Sequence, residues 1–289
     1  FDGDTQDSSG KGNNGTPSSS PAPDFVAGQI GSQAAEFTTI LSGSTVSSAS
    51  YVDLGTPTDL LFGSDTSFSV GLWVKLATDA TPPDLPFIGT EIGAANNSGW
   101  FVGPAYETGG WQWNLNDGVN NFGVSGPANS INSGQWHNFI ITVDRLGGVV
   151  NSYLDGLLVS SRSIAGLGSV DGGGAVTIGQ DPTYLYPEAG TFALDDIGIW
   201  RRALTAMEVA QIASAGAAGR SFDTVAPPSV TLTITRSDGN LILNYSSGTL
   251  LQSSDLGPTA VWTPVPGASA PSTTITPTNA ANYYRVLLD

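Results

Sequence analysis

Three carboxylates open this chain within seven residues: Asp2, Asp4 and Asp7, with Gly10, Gly12, Asn13, Asn14 and Gly15 close behind. Carboxylates, amide carbonyls and backbone carbonyls on one loop are hard oxygen donors, and a calcium ion takes roughly six to eight of them. Glycine and asparagine let the backbone turn tightly enough to aim its own carbonyls inward. The expectation is a calcium site built on Asp2, Asp4, Asp7, Gly12 and Asn14, acting as a structural clasp and not as a reagent. The competing reading is a solvated acidic turn, which uses the same residue types.

A second kind of chemistry lies in the aromatic residues, whose faces stack on the apolar faces of sugars. Trp100, Tyr106, Tyr184 and Tyr186 sit in turn-rich segments and are the candidates for a carbohydrate platform. Trp111 and Trp113 share one strand face with Leu115, the pattern of a buried sheet face. Trp73 lies opposite the apolar face of its own strand, which places it on the outer surface of a sheet.

Catalytic readings fare worse. The chain has no cysteine, which excludes thiol chemistry, and one histidine, which excludes a histidine-based metal cluster. A Ser/His/Asp triad would have to use His137, and His137 follows Trp136 at the start of a core strand, where a structural role is expected. The glutamates Glu36, Glu91, Glu107, Glu188 and Glu208 are isolated from one another. Paired carboxylates of the kind glycoside hydrolysis requires occur only at Asp195-Asp196 and in the first loop. The chain is not expected to be an enzyme.

Bulk composition narrows the setting. Nine basic residues against 25 acidic ones give a formal charge of −16, which repels nucleic acid and anionic membranes and attracts divalent cations. Only 12% of residues are charged, with Gly, Ser, Thr, Asn and Ala abundant, a composition that points outside the cell. No apolar run approaches the length of a membrane span, so membrane insertion is not expected. No signal peptide is present either, and a mature chain freed of its signal fits this composition.

Positioning such residues falls to short alternating strands separated by Gly, Pro, Asn and Asp, the pattern of an all-β sandwich. Residues 68–76 place Phe68, Val70, Leu72, Val74 and Leu76 on one face, and 111–115, 139–143, 152–154, 157–159 and 175–178 continue the series. Asp155-Gly156 between two runs signals a tight hairpin. One helix is expected from Ala206 to Ser214: Thr205 and Glu208 form a capping box, Leu204 and Val209 the hydrophobic staple, and Gly216 the stop. The low-complexity run Thr16–Pro23 reads as a surface loop. The predicted organisation is a large domain over 1–220, a linker over 221–229 containing Ala-Pro-Pro, and a small immunoglobulin-like β-sandwich over 230–289.

Taken in order, several of these segments resemble a known family. They are Phe1-Asp-Gly with Asp7-Ser-Ser-Gly-Lys-Gly-Asn-Asn-Gly15, Tyr51-Val-Asp-Leu, Ser67-Phe-Ser-Val-Gly-Leu-Trp-Val-Lys75, Gly99-Trp-Phe, Gln135-Trp-His-Asn-Phe, Tyr153-Leu-Asp-Gly156, Thr177-Ile-Gly179 and Phe192 to Leu204. Together they look like a laminin-G-like, concanavalin A-like jelly-roll domain over residues 1 to about 217. Residues 228–289 are similar, more loosely, to small C-terminal modules of secreted bacterial proteins.

The resemblance implies two facing antiparallel sheets and a structural calcium, with Asp2, Asp7 and the Gly12–Asn14 backbone as ligands and a return of the chain at Asp195-Asp196. Related jelly-roll glucanases carry two glutamates on one strand face, a pattern that this chain lacks. Family members also carry a short apolar strand before the Phe-Asp-Gly, and here the chain begins without it. A missing strand leaves unpaired N–H and C=O groups that another subunit could fill, and such pairing grows a filament when it does not close. The apolar, β-prone segment with Tyr283, Tyr284, Val286 and Leu288 is the expected donor.

The function expected from all this is a non-catalytic, calcium-binding surface protein, secreted or cell-surface and bacterial. It would act in adhesion or as a self-assembling structural subunit. The alternative is a calcium-dependent, lectin-like glycan-binding module. Its partners would be copies of itself or cell-surface glycans.

Overall fold

A computed structural model of the chain describes residues 1–78, 85–90, 98–181, 183–184, 187–225, 230–257, 260–277 and 282–287. It divides into two units, Phe1–Val225 and Ala226–Asp289. The first contains strands β1 (Thr16–Pro17), β2 (Asp24–Ala27), β3 (Gln33–Ser42), β4 (Thr45–Ala49), β5 (Val52–Asp53), β6 (Phe68–Lys75), β7 (Ile88–Gly89) and β8 (Gly99–Ala105). It continues with β9 (Gly110–Asn116), β10 (Asn121–Ser125), β11 (Trp136–Asp144), β12 (Val149–Leu154), β13 (Leu157–Ser163), β14 (Thr177–Ile178) and β15 (Gly190–Trp200), then helix α1 (Ala206–Ala217).

These strands build two antiparallel sheets. One runs β1-β5-β14-β7-β8-β9-β10, the other β13-β12-β11-β6-β15-β3-β2 with β4 beside β3. Alternation explains why they pack face to face. Phe68, Val70, Leu72 and Val74 of β6 and Phe139, Ile141 and Val143 of β11 meet Trp111, Trp113 and Leu115 of β9 in one core. Trp111 stacks on Phe139 across the sheets, with ring centroids 4.8 Å apart. The jelly-roll sandwich with one α-helix is therefore the fold.

The outer face of the second sheet is not left to water. A separate cluster of Ile140, Tyr153, Leu204, Val209 and Ile212 packs α1 onto it. The capping box forms, with Thr205 accepting from the Glu208 N–H and Glu208 from the Thr205 N–H. Arg202 adds a two-pronged bond to Glu208 at 2.8 and 2.5 Å.

Two sequence expectations change here for one reason. The helix does not stop at Gly216 but runs through it to Ala217, and Trp73, although it faces the outer side of its sheet, is covered by that helix and only 5% exposed. A Cβ on Gly216 would lie 2.4 Å from Trp73 Nε1, so the glycine is there for close approach and not as a stop. The Thr16–Pro23 run also differs from expectation, because Thr16 and Pro17 pair with Asp53 and Val52 as an edge strand. The Asp155-Gly156 hairpin is present, with φ of 51° and 81° at its two central residues.

The second unit holds two three-stranded antiparallel sheets. They are formed by β16 (Thr233–Ser237), β17 (Asn240–Asn244) and β20 (Ser272–Ile275), and by β18 (Thr249–Ser253), β19 (Thr263–Pro264) and β21 (Tyr283–Leu287). Leu243, Tyr245, Leu250 and Val265 form its core. The expected assembly strand is spent inside this unit. Tyr283, Tyr284 and Val286 lie on β21 opposite Ser253, Gln252 and Leu250 of β18, and Tyr284 and Val286 pack on the core. Leu288 falls outside the described residues. Alternating apolar residues find their own unit's core at no cost in association entropy, which corrects the free-donor reading.

Candidate functional site

The N-terminal carboxylates do not converge on one point. Asp2 Oδ1 accepts from the Ser32 and Gln33 N–H groups at 2.6 and 3.2 Å and from the Ser32 hydroxyl. Those donors, Ser32 first, hold its carboxyl below the usual range. Asp4 closes a local turn with the Gln6 N–H. Asp7 accepts from the Ser9 and Asn13 N–H groups, and its own N–H donates to Asn14 Oδ1. Burial alone would raise Asp7, but bonds from Ser9, Asn13 and Gly12 together hold it low.

The Asp195-Asp196 pair splits in the same way. Asp195 is 1% exposed and takes N–H bonds from Phe1 and Asp196 on Oδ1 and from Gln29 and Ile30 on Oδ2, all between 2.9 and 3.2 Å. Asp196 turns away to the Ser221 hydroxyl and the Phe222 N–H. Burial, first, and then the charge of Asp195 push its carboxyl up, against those two bonds.

Among the described residues, no group of three or more Asp, Glu, His or Cys side chains is arranged to hold a metal ion. The donor chemistry agrees. A carboxylate has about four lone-pair sites, and those of Asp195 already face four N–H donors. The Phe1 ammonium is one of them and backbone amides are the other three, so both Asp195 oxygens already face positive charge. The residues therefore do not fit one calcium cage. Hydrogen bonding alone lets Asp2 and Asp195 grip the Gln29–Gln33 turn from two sides. Adding millimolar calcium, or stripping it with chelator, is expected to move the melting temperature by less than about 1 °C, because a ligand stabilises only what it binds. A rise of several degrees in scanning calorimetry would restore the cation reading.

The aromatic candidates scatter too. Trp100 is 1% exposed in the core on β8, beside Phe62 and Phe68, so it is no surface platform. Tyr106 is 48% exposed after β8, while Tyr184, after β14, is 37% exposed and bonds Tyr51. Tyr186 falls outside the described residues.

The structure instead offers a site that the sequence did not single out. Between α1 and the β12–β13 hairpin lies an open groove of about 490 Å3, within the roughly 300–1,000 Å3 of small-ligand sites. Ala210, Ala213, Ser214 and Ala217 form one wall, and their small side chains are what leave the space. Trp73 and Gln29 lie at its base, with Gln29 held by its amide to the Gly216 carbonyl at 2.9 Å. Gln135, Trp136 and Asp155 to Leu157 make the other side.

Trp136 is half-buried and belongs to none of the buried clusters. The Lys75 ammonium lies 6.0 Å from its ring centroid. Leu157 is 71% exposed at the rim. The arrangement supplies an aromatic surface together with amide, hydroxyl and carboxylate groups. No local signal marks it in sequence, because the helix that forms one wall lies some seventy residues from Trp136 on the other.

A laminin-G-type profile described as the concanavalin A-like lectin/glucanases superfamily matches residues 46–210. Among solved structures, the binding domain of Paraclostridial Mosquitocidal Protein 1 is similar with a TM-score of 0.57 at 17% identity, over 96% of this chain and 69% of that one. The Botulinum Neurotoxin serotype G binding domain has a TM-score of 0.56 at 15% identity, over 93% and 78%. A Botulinum neurotoxin DC binding domain, solved in complex with rat synaptotagmin II, has a TM-score of 0.54 at 14% identity, over 89% and 65%. At these identities the likeness is one of fold. No curated protein matches the chain in sequence.

Proposed function

We propose a carbohydrate-binding role outside the cell for this chain, which belongs to the concanavalin A-like lectin/glucanases superfamily. The observation that carries the reading is the groove, where the Trp136 ring stands among Gln29, Gln135, Asp155 and Ser214. An indole face covers the apolar face of a sugar ring, and amides, hydroxyls and a carboxylate bond its hydroxyls. Among the described residues Asp155 is the one carboxylate lining the groove, whereas glycosidic cleavage uses two. The groove therefore suits holding a saccharide without cutting its backbone.

Adhesion to glycans at a cell surface follows as the finer statement, with a bacterial, secreted or surface-displayed setting and the second unit as an immunoglobulin-like accessory. Binding domains among the structural relatives support a binding role. Self-assembly keeps one observation in its favour: β13 is a sheet edge with Leu157, Leu158 and Val159 exposed at 71%, 57% and 45%.

A glycan array probed with the native protein, with and without chelator, tests the reading. The expected result is binding to a defined saccharide set, unchanged by chelator and weakened at least ~10-fold by Trp136→Ala, which equals about 1.4 kcal/mol. An array without a single bound glycan, or a Trp136→Ala variant that binds like the native chain, would contradict it.

A further inference from the structure

Beside the groove, three side chains that are scattered in sequence form one hydrogen-bonded relay. Ser133 Oγ lies 2.7 Å from His137 Nε2, and His137 Nδ1 lies 2.9 Å from Asp155 Oδ2. Register explains the meeting. Antiparallel pairing sets Phe139 opposite Leu154, so the hairpin residue Asp155 comes level with Asn138 and next to His137. The Asp155 N–H donates to the Asn138 carbonyl, and the Asn138 N–H returns to Asp155 Oδ1, both at 2.8 Å. The carboxylate is thus fixed with its second oxygen free for the imidazole.

On the other side of the ring, Gly134 at φ 76° turns the chain so that Ser133 reaches back over four residues. The Gln135 N–H donates to Ser133 Oγ at 3.2 Å, and in the tautomer whose Nδ1–H faces Asp155 the Ser133 hydroxyl donates to His137 Nε2. The serine is exposed, the imidazole side chain is 18% exposed, and Asp155 and Gln135 line the groove. Nucleophile, base and orienting carboxylate stand in hydrogen-bond contact in that order, which is the geometric criterion for such a set.

We propose that Ser133 is an acyl-accepting nucleophile, activated by His137 and oriented through Asp155, for small carboxylic esters presented at the mouth of the groove. Ser133 Oγ forms a bond to the ester carbonyl carbon while its proton passes to His137 Nε2. The C–O bond to the alcohol then breaks, and the departing oxygen takes that proton. Water attacks the acyl-serine next, gives its proton to Nε2, and the carboxylic acid leaves as Ser133 Oγ recovers the proton. Water is the one co-reactant, and the step involves no change of oxidation state. An O-acylated sugar is the ester that the binding role would bring there. That identity rests on the binding role, while the reactivity of Ser133 does not.

The test uses the intact native chain and p-nitrophenyl acetate as the probe. Release of p-nitrophenolate with an acetyl adduct on the Ser133 peptide is the expected result, read by absorbance and by peptide mass spectrometry. Ser133→Ala is expected to lose both. His137→Gln is expected to slow release by ~100-fold, the ordinary worth of a positioned general base. Because Ser133 is exposed, its alanine variant should keep the native unfolding curve, so a lost signal cannot be blamed on misfolding. A native chain without the adduct, or a Ser133→Ala variant releasing nitrophenolate at the native rate, overturns the proposal. The array and the acylation assay are independent readouts, so either reading can fail alone.

Discussion

Asp195→Ala is expected to lower stability by about 3 kcal/mol or more, the largest effect of any single carboxylate among the described residues. The side chain accepts N–H bonds from Phe1, Gln29, Ile30 and Asp196 and is almost completely buried. Alanine leaves those donors without an acceptor, and each buried N–H abandoned costs about 1–3 kcal/mol. Water entering the gap recovers part of this, which is why the expectation stops short of the full sum. Asp2→Ala provides the contrast. Asp2 is exposed, and its donors Ser32 and Gln33 can turn to solvent, so its loss should cost under about 1 kcal/mol. Urea unfolding followed by tryptophan fluorescence separates the two, since Trp262 alone lies outside the first unit. Equal midpoints for both variants would show that the turn does not depend on Asp195.

The second large effect is expected at Trp113. Its ring is 1% exposed in the core, and Nε1 donates to Ser152 Oγ at 2.9 Å, itself completely buried. Trp113→Ala should cost about 3–5 kcal/mol through the cavity that it opens. The sharper comparison is between two phenylalanine substitutions. Trp113→Phe strips Ser152 of its donor. Trp111, equally buried, has an Nε1 with no hydrogen-bond partner among the described residues, so Trp111→Phe strips no protein group of its donor. Trp111→Phe should therefore be at least ~1 kcal/mol less costly than Trp113→Phe. The reverse order in urea midpoints would refute this assignment of the two indoles.

These residues also show how far the sequence could be read. Alternation along 68–76, 111–115 and 139–143 located the central strands because each buries one face between two sheets. The helix start was legible because a capping box is a local signal, four residues long. Its end was not, since Gly216 answers to Trp73, which is remote in sequence, and not to the helix itself. Trp100 was misread because β8 carries Gly99, Gly103 and Pro104, which look like turn residues. Gly103 has Phe101 pressed against the position of a Cβ. The roles of the acidic residues were the least legible. Asp195 and Gln29 are 166 residues apart, and nothing local says that a carboxylate will be spent on a distant turn's backbone.

The candidate site follows the same rule. His137 was visible as a lone histidine, but its placement between Ser133 and Asp155 depends on the register of β11 against β12. The groove depends on α1 lying across the outer face of the sheet with alanines toward the opening. Small side chains carry no motif, yet they decide where a ligand has room.

Nitrogen-15 NMR of the tryptophan indoles tests directly whether a saccharide occupies this groove. The native chain would be titrated with the strongest-binding glycan from the array. The expected result is a saturable shift of the Trp136 Nε1–H signal, with the core signals of Trp111 and Trp113 unmoved. A glycan that binds while Trp136 stays still, with shifts confined to residues around Tyr106 or to Trp262, would contradict it.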